Sequence, residues 1–121
     1  MIENLYELVG GHEVIKAATE CFYQKILEDA DLRQFFGETD MAHLRSRQLM
    51  FITMLLGGGV YTGKDIHVAH AHARGHGLNG THFDLFLTHF RAALDEVGVK
   101  PANVEQITKL LERKRRAVLD T

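Results

Sequence analysis

The segment from Gly57 to Phe83 reads GGGVYTGKDIHVAHAHARGHGLNGTHF and holds five of the eight histidines of the chain. It is also rich in glycine, so we expect any helix within it to be short. Imidazole is the commonest nitrogen ligand of metals in proteins, and such a density of histidines indicates a candidate binding site. Histidines on a solvated loop are the simpler interpretation for most of the five, which are His67, His70, His72, His76 and His82.

The composition limits the class of protein and its partners. The 121 residues, 45% hydrophobic and 25% charged, predict a single globular domain over residues 1–121. A net charge of -2 gives no field that would attract nucleic acid or an anionic membrane, so neither partner is expected. The single cysteine, Cys21, excludes an internal disulfide. Because no signal-like or membrane-spanning run accompanies it, we expect a cytoplasmic location and a buried, inert thiol.

Helical periodicity runs through most of the chain. Apolar residues spaced by three and four predict about five helices of unequal length, with boundaries at Gly10-Gly11, at Gly57 and at Pro101. The last of these helices is expected to run from Pro101 to Val118, with the basic residues 113–116 near its end. No strand pattern of any length is present, so the predicted fold class is all-α. The candidate N-caps of two helices are Thr39 or Asp40 and Asn79 or Thr81.

Two polar side chains interrupt the apolar helix faces. Tyr23 lies at the edge of the face that carries Val14 and Ile26, and Gln48 lies on the apolar stripe of the next long helix. A buried amide without a hydrogen bond costs about 1–3 kcal/mol, so Gln48 requires a polar partner, of which a backbone carbonyl is the simplest. Two adjacent aromatic residues, Phe35 and Phe36, lie between these two helices and indicate packing against a large group.

The short segment around His70 is expected to form one wall of the core. A helix of two turns is not stable by itself and needs a surface on which to pack. A large, flat, apolar cofactor would supply that surface, and a histidine on the short helix would bind it.

Over nearly its whole length the chain resembles the group I truncated haemoglobins, shortened globins with a two-on-two helical sandwich around a haem. The resemblance rests on five blocks in the right order, which are LYELVGG, FYQKIL, FFGETDM, LLGGGVYTGKDIHVAH and GLNGTHF. It implies haem b as the cofactor. Because Lys114 or Arg115 stands where some relatives carry a histidine bonded covalently to haem, we expect the haem to be held non-covalently.

The resemblance also implies roles for individual residues. His70 is expected to bind the haem iron, with His72 as the alternative ligand. Tyr23 and Gln48 are expected to act on dioxygen as hydrogen-bond donors, and Arg47 is expected to reach a haem propionate. The remaining residues expected at the haem are Phe35, Phe36, Leu44, Phe51 and Phe83.

The set formed by Tyr23, Gln48 and Leu44 resembles the residues found around the ligand in the members of this family that turn nitric oxide and dioxygen into nitrate. The expected ligands are therefore O2, NO and CO. A nitric oxide dioxygenase would need a separate electron-donating reductase, because the chain has no flavin or nicotinamide motif. Oxygen binding for storage or sensing is the alternative and would use the same residues. A third hypothesis, without haem, is a divalent metal site formed by His67, His70, His72 and His76.

Overall fold

The computed structural model describes residues 5–36, 40–57, 70–75 and 77–119, and the regular structure within these ranges is entirely helical. The prediction of an all-α fold is confirmed. No helix in these ranges is long and apolar enough to cross a membrane. The helices are α1 (Leu5–Leu8), α2 (Gly11–Glu28), α3 (Ala30–Arg33), α4 (Met41–Gly57), α5 (Ala71–Gly75), α6 (Gly80–Glu96), α7 (Pro101–Glu112) and α8 (Arg115–Leu119), with a 3-10 turn at Gln34–Phe36.

The long helices form two packed pairs. Helix α2 packs against α4 and also against α6, and α6 packs against α7. The buried face of α2 differs from the predicted face by a rotation about the helix axis. Ile15 and Thr19 lie at its centre, whereas Val14 and Cys21 are half-buried at its edge. Thr19 is tolerated there because its hydroxyl donates a hydrogen bond to the carbonyl of Ile15, at 2.8 Å.

The helix boundaries follow local chemistry. Gly10 has a φ of +117°, and a Cβ atom at this position would lie 2.5 Å from Cγ2 of Val14, so the turn before α2 requires glycine. Asp40 accepts hydrogen bonds from the amides of residues 42 and 43 and so caps α4, while Thr39 lies outside the described residues. Asn79 caps α6 in the same way, and His82 completes a capping box by accepting from the Asn79 amide.

The carboxy-terminal helix predicted from Pro101 to Val118 is broken at residues 113–114 into α7 and α8. The reason is a tertiary contact. Arg115 pairs with Asp84 of α6 and with Glu112, and its guanidinium lies 4.6 Å from the centre of the Phe83 ring. These contacts turn the chain back onto α6, so the basic run spans a turn instead of ending one helix.

Cys21 is half-buried, so the expectation of a fully buried thiol is wrong. Its sulfur lies 3.1 Å from Oε2 of Glu96, which also pairs with Nζ of Lys25 at 2.6 Å. Partial burial and, after it, the hydrogen bond to Glu96 raise the pKa of the thiol. A thiol that stays protonated at neutral pH is a poor nucleophile, in agreement with an inert residue.

Candidate functional site

A cavity of about 360 Å³ opens among the helices, a size typical of ligand pockets. Residues of α2, α4, α5, α6 and the carboxy-terminal segment line it, and most of them are apolar or aromatic. The structure brings all nine residues predicted for the site to this one cavity: Tyr23, Phe35, Phe36, Leu44, Arg47, Gln48, Phe51, His70 and Phe83.

His70 lies in the turn immediately before α5 and is half-buried at the cavity. Its carbonyl accepts a hydrogen bond from the amide of Arg74, at 3.0 Å, which closes the first turn of α5. The side chain of His72 and all of His67 and His76 lie outside the described residues. Among the side chains that are described, no group of three or more His, Cys, Asp or Glu is arranged to hold a metal ion.

Tyr23 and Gln48 bring a hydroxyl and an amide, both hydrogen-bond donors, to the cavity. Tyr23 is 3% exposed and lies within the core, deeper than the edge position predicted for it. Burial raises the pKa of its hydroxyl, so this group stays protonated and can donate. Within the described part of the chain, neither Tyr23 nor Gln48 makes a side-chain hydrogen bond, and the backbone partner considered for Gln48 is not found. Both donors therefore remain available to a ligand.

The two adjacent phenylalanines of the 3-10 turn face different neighbours. The Phe36 ring stands edge-on to Tyr23, with centroids 6.3 Å apart and an angle of 88°. The Phe35 ring stands edge-on to His82, with centroids 4.9 Å apart. Since both phenylalanines also line the cavity, the turn forms a rigid aromatic wall beside the tyrosine.

The 3-10 turn and α3 are braced by a contact that the sequence did not reveal. Asp29 caps α3 by accepting from the Asp31 amide at 2.9 Å, and its other oxygen lies 2.8 Å from Nε2 of His89 on α6. The hydrogen bond from His89 is the main cause that lowers the pKa of the Asp29 carboxyl. No local pattern indicates this pair, because 60 residues separate its members.

The charge at the cavity is positive. Arg47 is exposed and Lys114 is half-buried, and both line the cavity, whereas none of its described lining residues carries a carboxylate. Of the adjacent residues Lys114 and Arg115, only Lys114 is in the cavity lining. Arg115 instead forms ion pairs with Glu112 and Asp84, which raise the pKa of its guanidinium and hold it away from the cavity. A ligand with anionic groups fits this arrangement.

Arg45 is a residue near the site that the sequence analysis missed. Its Nε atom is buried and has no hydrogen-bond partner, and its positive charge acts to lower the pKa of Tyr23. Positions 45, 48, 52 and 56 share one face of α4, so Arg45 lies one helical turn before Gln48. Gln48 was placed on this face of α4 from the sequence, but Arg45 was not assigned to it.

Comparison with known proteins places this geometry in context. The family model described as Bacterial-like globin matches residues 4–120. The group 1 truncated haemoglobin of Tetrahymena pyriformis is 39% identical over 118 residues, which cover 97% of this chain and 95% of the relative. The group 1 truncated haemoglobin GlbN of Synechocystis is 38% identical over 100 residues, which cover 81% of each chain.

Two solved structures show the same arrangement of helices. The Fe(III) form of the Tetrahymena pyriformis truncated haemoglobin matches with a TM-score of 0.86 and 39% identity, over 97% of this chain and 98% of that one. The 2/2 haemoglobin of Synechococcus sp. PCC 7002, in the cyanomet state and with covalently attached haem, matches with a TM-score of 0.91 and 30% identity, over 98% and 100%.

Proposed function

Because this chain belongs to the group 1 truncated haemoglobins and has their two-on-two globin fold, we propose that its cavity holds haem b non-covalently, with His70 as the iron ligand. Globins of this family are haem proteins that bind small gaseous ligands such as dioxygen. One observation carries the site assignment. A single cavity brings together an imidazole, an apolar aromatic wall and two side chains, those of Tyr23 and Gln48, that make no side-chain hydrogen bond among the described residues.

The chemistry of the lining residues fits a haem. The aromatic and aliphatic side chains provide a surface for the porphyrin, and Arg47 at the exposed side of the cavity is proposed to pair with a propionate. The residues proposed to contact the ring are Phe35, Phe36, Leu44, Phe51 and Phe83. The side chain at the cavity near the carboxy terminus is Lys114, not a histidine, which supports non-covalent retention.

We propose that the protein is a nitric oxide dioxygenase. Haem held by His70 would supply an iron with a coordination position free for reversible dioxygen binding, and the reaction of dioxygen with nitric oxide there would yield nitrate. Tyr23 and Gln48 donate hydrogen bonds to the ligand, each worth about 1.5–3 kcal/mol when the acceptor is charged. Leu44 has no atom that can bind iron and so leaves the position open. The Phe36 ring packs edge-on against the ring of Tyr23 and so helps to fix the orientation of that ring.

The proposal has consequences for partners and location. The ligands are O2, NO and CO, and a separate electron-donating reductase restores ferrous iron after each turnover. The lone cysteine supports a cytoplasmic site of action. Oxygen storage or sensing would use the same residues, so only kinetics separate these functions.

The test begins with the absorption spectrum of the purified protein with hemin, in ferric, ferrous and oxygenated forms. We expect His70→Ala to lose haem, with His43→Ala as the matched control because His43 is exposed on α4. A five-coordinate histidine spectrum in His70→Ala would assign the iron ligand to His72.

Rapid decay of the oxygenated protein on mixing with nitric oxide, with nitrate as the product, supports dioxygenase activity. Slow oxygen release with negligible nitric oxide reaction would favour storage or sensing.

A further inference from the structure

The helix that begins beside the proposed iron ligand depends on other parts of the chain for its position. Helix α5 has five residues, too few for a helix to be stable by itself. Ala73 packs against the hydrophobic core and lines the cavity, but its side chain is a single methyl group. Such a helix takes its position from contacts with the rest of the chain, and an attachment beyond that of Ala73 would help to fix the orientation of His70.

Arg74 makes that attachment. Its Nη1 atom donates a hydrogen bond to the carbonyl of Val118, at 2.9 Å, in a partly buried position 44 residues along the chain. Val118 lies in the last turn of α8, where carbonyls have no partner within the helix. Because the donor is a charged guanidinium, this bond is stronger than one between neutral groups.

Arg74 is also bonded through its backbone to His70, the proposed iron ligand. The Arg74 amide donates to the His70 carbonyl at 3.0 Å, so one residue is bonded both to the ligand residue and to α8. Lys114, in the turn before α8, and Val118 also line the cavity. The segment that closes the carboxy-terminal side of the cavity is thus the segment that holds α5.

We propose that Arg74 is a positioning residue, which sets the direction in which His70 presents its imidazole to the haem iron by joining α5 to α8. This inference rests on the proposed function, because it takes His70 as the iron ligand. It follows that the carboxy-terminal helix controls the strength of the iron–imidazole bond, although it contributes no ligand.

The test compares Arg74→Met, Arg74→Lys and Arg116→Met in the full chain, each with bound haem. Arg116 is an exposed residue of α8 and serves as the control. We expect Arg74→Met to shift the iron–histidine stretching band in the resonance Raman spectrum and to speed hemin transfer to apomyoglobin at least about tenfold. Arg74→Lys, which keeps a charged donor, should lie between wild type and Arg74→Met, while Arg116→Met should match wild type. The C–O stretching band of the carbon monoxide adduct, which reports on Tyr23 and Gln48, should stay unchanged in all three.

Three results would overturn the inference. If Arg74→Met lowers the melting temperature but leaves the iron–histidine band of the folded protein in place, Arg74 supports the fold alone. Should Arg74→Met fail to fold, an unshifted band together with a wild-type hemin transfer rate in Arg74→Lys leads to the same conclusion. Retention of the iron–histidine band in His70→Ala would overturn the ligand assignment and the role of Arg74 together, and this result is distinct from the others.

Discussion

The two functional walls of the cavity are built in different ways. The donor wall, formed by Tyr23 and Gln48, belongs to the long helices α2 and α4, which pack against each other. The histidine wall, formed by His70 and Ala73, belongs to the five-residue helix α5 and the turn before it. A long amphipathic helix places its own side chains by periodicity, whereas a short one takes its position from its neighbours. The chemistry of the donor wall is therefore local, and that of the histidine wall depends on distant contacts.

The largest expected effect is on the donor wall. Tyr23→Phe removes the hydroxyl and keeps the ring, whose edge contacts with Phe22 and Phe36 remain. A lost hydrogen bond to a charged acceptor, about 1.5–3 kcal/mol, corresponds to a dioxygen dissociation rate about 10- to 100-fold faster, measured by stopped flow. Tyr6→Phe is the control, since Tyr6 packs against the core outside the cavity lining. An unchanged rate would remove Tyr23 from the proposed role.

A smaller effect is expected behind the donor wall, at Arg45. Met fills much of the volume of the arginine stem and leaves no buried donor unsatisfied, so Arg45→Met should raise the free energy of unfolding of the haem-free chain by about 1 kcal/mol. Urea unfolding measures this difference, with the exposed Arg33→Met as a control that should change little. The loss of the positive charge should also raise the pKa of Tyr23 further. Lower stability in Arg45→Met would show that the guanidinium has a stabilising role.

The smallest effect concerns the contact between Asp29, the N-cap of α3, and His89 of α6. The folded-state pKa of Asp29 is lowered, so its contribution to stability is present at pH values above its unfolded pKa. That contribution disappears as the pH falls through the folded-state value. Asp29→Asn should therefore lower the free energy of unfolding by roughly 0.2–1 kcal/mol at neutral pH, and the difference should vanish in strong acid.

Thermal unfolding across pH measures the effect at Asp29, with Asp95→Asn on the exposed side of α6 as the control. A difference between wild type and Asp29→Asn that is independent of pH would assign the brace to the N-cap alone. A difference that follows the titration of Asp29 would assign the effect to its carboxylate, whose pKa is lowered chiefly by the hydrogen bond from His89.

Much of the donor wall could be predicted from the sequence. Tyr23 and Gln48 were recognised because each breaks an apolar stripe. Asp40 and Asn79 were each one of two candidate caps, because capping depends on the next three residues. His82, one of the five clustered histidines, instead accepts a hydrogen bond from the Asn79 amide in a capping box, a role that the sequence analysis did not predict. Arg45 was not predicted, because a charged residue on an amphipathic helix is expected on the exposed face and not beside Gln48.

The histidine wall could be predicted only in part. The sequence, with its family resemblance, indicated His70 as the ligand, and the structure places this residue at the cavity. What holds it there was not predictable, because the bond from Arg74 to Val118 joins segments 44 residues apart. The break between α7 and α8 has a similar origin, in the pairing of Arg115 with Asp84 across 31 residues.

The amino-acid sequence by itself determined the helical content, the family and the polar residues that can act in an apolar cavity, because helical period and capping are encoded within a few neighbouring residues. The tertiary structure alone decided between Lys114 and Arg115 at the cavity, turned Phe35 and Phe36 toward different partners and attached α5 to α8. Each of these outcomes depends on contacts between segments that are distant in the sequence, and a local pattern does not encode such contacts.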